Sequence, residues 1–124
     1  MGKKIWIESG EVRVEAELNE TATAGAVAAA LPIASEAMRW GEEVYFEVPV
    51  TRELEAGARA EVEVGELGYW PTGRAFCIFF GRTPASRSEK PQAASAVTII
   101  GRVKGDAKVL GRVRDGAGIT IKGE

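Results

Sequence analysis

A chain of 124 residues, 45% hydrophobic and 27% charged, has the size and composition of one globular domain with one core. Sixteen basic and 18 acidic residues spread along the chain give a net charge of −2, which supplies no long-range pull on nucleic acid or anionic lipid. One cysteine and no histidine exclude an intrachain disulfide, the usual zinc sets and Ser-His or Cys-His nucleophilic catalysis.

No apolar run approaches the roughly 18 residues of a membrane span. Ile5-Trp6-Ile7 is followed at once by Glu8, which breaks a signal-peptide pattern, so the expected location is cytoplasmic. Cys77, flanked by Phe76, Ile78 and Phe79, reads as a buried small hydrophobe. Neither a Walker sequence nor a dinucleotide fingerprint occurs, and no cofactor is expected. Glu42 and Glu43 are adjacent, and on a strand they point to opposite faces, so they do not converge on a metal and none is expected.

In chain order, Ile5-Trp6-Ile7 and the unbroken alternation over 11–18, with Val12, Val14, Ala16 and Leu18 on one face, predict a hairpin turning at Ser9-Gly10. Asn19-Glu20-Thr21 offers caps for a short alanine-rich helix over 22–31, stopped by Pro32, with Ala24, Val27, Ala28 and Leu31 on its packing stripe. Residues 33–40 fit strand or helix, and their alternation favours a strand. Gly41-Glu42 turns the chain into a β-type run over 43–50, where Val44, Phe46, Val48 and Val50 share a face opposite Tyr45 and Glu47. A charged connector over 52–57 precedes a half-wet strand over 58–64.

Residues 65–84 hold Tyr69, Trp70, Phe76, Phe79 and Phe80, five of the nine aromatic residues. Trp70-Pro71-Thr72-Gly73 reads as a turn joining Leu67-Gly68-Tyr69-Trp70 to the apolar run 75–80. Two readings stay open: a buried hairpin whose rings fill the core, or a concave apolar site rimmed by Arg74 and Arg82. Trp40-Gly41-Glu42-Glu43-Val44-Tyr45-Phe46 likewise either sets a carboxylate beside ligand-contacting rings or starts a strand with core aromatics. Residues 82–94 form a polar surface loop, 96–103 a strand interrupted at Gly101, and Asp106 caps a short helix through Arg114. Ile119-Thr120-Ile121 is a last strand. About eight short strands and two small helices, without a βαβ rhythm, predict a mainly β closed barrel or sandwich in a single domain over 1–124.

WGEEVYFEVPV from Trp40, GELGYWPTGRAFCIFFGRTP from Gly65 and SAVTIIGRVKG from Ser95 resemble the small stand-alone cyclophilin-like domain proteins of prokaryotes, a family of unknown function. The resemblance covers nearly the whole chain and implies a closed eight-stranded cyclophilin-like β-barrel with two short helices. Within the wider superfamily, FCIFFGRTP is similar to the strand ending in the phenylalanine pair of prolyl isomerases. That similarity implies that Phe80 falls at the proline pocket and that Val97 stands where the isomerases have histidine. No arginine occurs around Tyr45, Phe46 and Glu47, where their essential one is expected, although Arg39, Arg74 and Arg82 are candidates to replace it from another position.

The expected function is a binding domain without efficient isomerase activity, whose aromatic groove accepts a peptide segment or small ligand. Tyr45, Phe46, Tyr69, Trp70 and Phe80 line that groove, Trp40 and Arg82 frame it, and Arg74 is a rim residue for a carboxylate or phosphate. The alternative is a divergent peptidyl-prolyl isomerase, for which no catalytic residue is assigned. A third reading makes the apolar surface a homo-oligomer interface.

Overall fold

Alternating apolar and charged side chains make most of this molecule a sheet, and turn residues set where each strand stops. The computed structural model describes residues 2–124. Its strands are β1 (Lys3–Ser9), β2 (Val12–Leu18), β3 (Ile33–Glu36), β4 (Met38–Arg39), β5 (Glu43–Glu47), β6 (Arg59–Glu61), β7 (Glu66–Trp70), β8 (Ala75–Phe79), β9 (Gln92–Lys104) and β10 (Gly118–Gly123). One helix, α1 (Ala22–Ala30), follows β2, and 3-10 turns occupy Pro71–Gly73 and Ala107–Arg112.

The first hairpin pairs Ser9 with Val12 and places Ile5, Ile7, Val14, Ala16 and Leu18 in the core, as the alternation predicts. Thr21 caps α1 by accepting from the Ala24 amide at 3.1 Å, and Thr23, Ala24 and Val27 pack inward. Ala28 and Leu31, expected on the same stripe, are only half-buried. The second helix, expected from Asp106 to Arg114, is a 3-10 helix, with the Asp106 carboxylate accepting from the Lys108 amide at 2.9 Å.

All strand pairs are antiparallel and run in the order β3-β10-β1-β2-β9-β7-β8-β5-β4, with β6 on β9. The expected closed barrel of eight strands is therefore corrected: the sheet has ten strands, and hydrogen bonds do not close it. Its two outermost strands, β3 and β4, are separated by one residue, Ala37, so one stretch of chain supplies both edges. Ala37 leaves the ladder because its amide donates to the Ala117 carbonyl and its carbonyl accepts from the Gly116 amide, each at 2.7 Å.

Two shorter differences share that local character. Only Arg59–Glu61 of the half-wet strand pairs; the Val62 amide turns to the Pro91 carbonyl at 3.2 Å, and Val64 is exposed. The loop after β8 ends at Pro91 rather than Ala94, since β9 begins at Gln92. A register shift in β9, where Leu67 opposes Gly101 and Gly68 opposes Ile99, lets both Ile100 and Val103 face the main core despite their odd spacing.

Candidate functional site

Successive residues of a strand face opposite sides, and this sheet buries apolar groups on both. The inner side holds the main core, with Val44 and Phe46 from β5, Leu67 and Tyr69 from β7, and Phe76, Ile78 and the following Phe80 from β8. The outer side carries a second, smaller cluster of Val62, Ala75, Cys77, Phe79, Ala93 and Val97, against which Tyr45 and Trp70 pack. Register brings the outer residues together: Tyr45 opposes Cys77, Glu43 opposes Phe79, and Trp70 opposes Ala75.

A pocket of about 190 Å³ opens on this outer cluster. Trp40, Tyr45 and Trp70 supply rings, Cys77, Ala93, Ala94 and Val97 complete the apolar lining, and Glu43 contributes a carboxyl. The Tyr45 and Trp70 rings meet edge to face, 6.4 Å apart at 80°. The Trp70 indole is held by its Nε1 donating to Ser95 Oγ at 2.7 Å. It also lies so close over Gly73 that a Cβ there would stand 3.0 Å from the ring. At Gly68 a Cβ would come within 2.8 Å of Val97, so the bare backbone lets β9 bring Val97 to the pocket.

Glu43 is 5% exposed and has no ion-pair partner among the described residues. Burial pushes its carboxyl up from the ordinary 4.5 to about 7, against a weaker pull from the neighbouring Cys77 thiol, whose own hydrogen bond goes to the Ala75 carbonyl at 3.9 Å. Burial and the neighbouring Glu43 carboxylate in turn push the Cys77 thiol well above its usual range. Near neutral pH the site therefore holds a carboxyl that is both acid and base, in apolar surroundings.

Of the residues predicted for the groove, Trp40, Tyr45 and Trp70 meet in this pocket. Phe46, Tyr69 and Phe80, at 1%, 0% and 1% exposure, belong instead to the main core. The reason is parity, since each stands an odd number of positions from an outward-facing residue of its own chain segment. Phe46 stacks on Phe76 at 5.2 Å, and the Tyr69 hydroxyl donates to the Val50 carbonyl. Neither rim arginine lines the pocket: Arg74 pairs with Glu47, and exposed Arg82 faces Glu89 at 3.7 Å. Phe80 and Val97, the two positions the resemblance matched to isomerase residues, lie on opposite faces of the sheet; the β8 residue sharing the pocket with Val97 is Cys77. Arg39 reaches over Phe80 at 5.2 Å, but its guanidinium donates to the carbonyls of Gly41, Gly111 and Val113.

The sequence reading sets a carboxylate of the Glu42-Glu43 pair beside the rings only as one of two open readings and assigns neither residue; the pocket lining includes Glu43. The signal was present, because Val44, Phe46 and Val48 facing inward require Glu43 to share the outward face with Tyr45.

No curated protein matches the chain. The solution structure of a hypothetical protein from Archaeoglobus fulgidus is 38% identical, covers 99% of this chain and 95% of its own, and superposes with a TM-score of 0.83. The cyclophilin-like family model matches residues 3–122, the span over which the three quoted motifs lie. With that coverage, the chain belongs to the cyclophilin-like family.

Proposed function

We propose that this cyclophilin-like domain binds a ligand by taking one apolar group, a peptide side chain or the end of a small molecule, into the outer pocket between Tyr45 and Trp70. The observation that carries the reading is an apolar, three-ring pocket holding a single, unpaired carboxyl, which matches the usual make-up of ligand sites: mostly apolar lining with few polar groups. Its volume of about 190 Å³ suits one side-chain-sized group. The isomerase alternative lacks support at this pocket, because no arginine lines it and Arg39 is engaged by backbone carbonyls.

The test is a tryptophan-fluorescence titration with short peptides carrying proline, leucine or phenylalanine, run beside a proline-isomerisation assay. Saturable binding is expected, weakened at least about tenfold by Trp70→Ala, which corresponds to about 1.4 kcal/mol. The slow isomerisation phase, ordinarily tens to hundreds of seconds, is expected to be unchanged by catalytic amounts of protein. Acceleration that disappears in Trp70→Ala would establish the isomerase instead. Sedimentation at high concentration separates both from self-association through the same rings.

A further inference from the structure

Aromatic faces carry negative partial charge and attract cations. Elsewhere in this molecule the chain's own cations occupy such faces: the Arg13 guanidinium lies 3.8 Å and Lys4 Nζ 5.0 Å from the Trp6 ring, and Arg39 covers Phe80. Among the described residues none lies over Trp40, Tyr45 or Trp70, and no lysine or arginine lines their pocket. The same pocket contains a buried carboxyl without a countercharge. Resting on the binding reading above, we propose that the pocket takes the methylated ammonium head of a small organic cation, caged by Trp40, Tyr45 and Trp70 and neutralised by Glu43.

The lining distinguishes among cations. A primary ammonium needs acceptors for three N–H groups and a guanidinium for five, whereas this lining offers only the Glu43 carboxyl and the Tyr45 hydroxyl as side-chain oxygens. A methylated head gives up little hydration and presents apolar surface to the rings and to Ala93, Ala94 and Val97. The ionisable groups facing Glu43 are few: Cys77 from β8 and Tyr45 from its own strand, with none from β4, β7 or β9. Neighbouring Glu42 is directed to Lys108, 3.9 Å away.

Choline and its neutral carbon isostere 3,3-dimethyl-1-butanol separate charge from shape, and titrating each into the full chain tests the inference. At pH 8 choline is expected to bind at least about tenfold more tightly than the isostere, because the cation adds an attraction that the isostere lacks. Lowering the pH to 5.5 protonates Glu43, which is expected to weaken choline about thirtyfold and leave the isostere unaffected. Glu43→Gln is expected to reduce the preference for choline to what the rings alone give and to abolish its pH dependence, and the pH comparison needs no variant to fold. Equal or tighter binding of the isostere at pH 8, or pH-independent choline binding, overturns the cation assignment and leaves the apolar pocket reading standing. Silence from both probes removes that reading as well.

Discussion

Two glutamates begin strands on the outer face of this sheet, Glu43 on β5 and Glu66 on β7, and both are buried, at 5% and 9% exposure. Their surroundings differ. Burial pushes the Glu66 carboxyl up, but the Arg59 guanidinium fork, at 2.8 and 3.0 Å, and the Glu63 amide at 2.8 Å more than reverse this and hold it below the ordinary value. Glu43 has a thiol in place of the fork, and burial wins. Burial alone thus does not distinguish a structural carboxyl from one in a site. The missing countercharge does: both carboxyls line pockets, but the one at Glu66 also holds Arg102, whereas no lysine or arginine lines the one at Glu43.

The largest expected effect comes from neutralising the unpaired partner. A carboxyl moved from 4.5 to about 7 holds a proton in the folded state that the unfolded chain has lost between those values. Its contribution to stability therefore falls as pH rises through that window and stays low above it. Glu43→Gln is expected to stabilise the protein by about 3 kcal/mol at pH 8, with the gain shrinking to nothing near pH 4.5. Urea unfolding across the range measures this, and a gain independent of pH would contradict the assignment of the penalty to ionised Glu43.

Glu66 has the opposite sign. Its depressed carboxyl contributes stability above the ordinary 4.5 that is lost as acid protonates it. Arg59→Met strands the carboxylate; because the Arg59 side chain is 43% exposed, the expected cost at pH 7 is about 1–2 kcal/mol rather than that of a fully buried pair. Glu66 then resembles Glu43, so the cost diminishes on acidification, and adding Glu66→Gln restores most of it. A double-mutant cycle with no coupling between the two positions would show that the fork does not hold Glu66.

How much of this was legible in the sequence follows the same division. Where one face of a strand is wet, the pattern reads directly: Val12, Val14, Ala16 and Leu18, and again Val44, Phe46, Val48 and Val50, fix which side points in. In β8 every residue from Ala75 to Phe79 is buried, so no alternation marks the inner from the outer face, and Phe80 is assigned to the wrong one. Tyr69 is misplaced although Leu67 beside Gly68 hints at its side, because β7 is also buried throughout all but its last residue. The gap at Ala37 depends on bonds to Gly116 and Ala117, distant in sequence, which no local pattern encodes. The family motifs supply the mainly β architecture with its two short helices; they supply neither the ten-stranded open sheet nor strand parity, and the pocket depends on parity.

The smallest expected effect tests the weak partner that Glu43 does have. The Cys77 thiol, whose hydrogen bond goes to the Ala75 carbonyl at 3.9 Å, is also a potential donor beside the carboxyl and favours its ionised form, opposing the stronger effect of burial. Cys77→Ala removes that donor and is expected to move the Glu43 carboxyl further up, whereas Cys77→Ser installs a better donor of similar size and is expected to move it down. Carbon-13 NMR titration of the Glu43 carboxyl reads both. If the two variants shift it in the same direction, packing rather than the hydrogen bond sets its proton affinity, and the contrast with Glu66 would rest on desolvation alone.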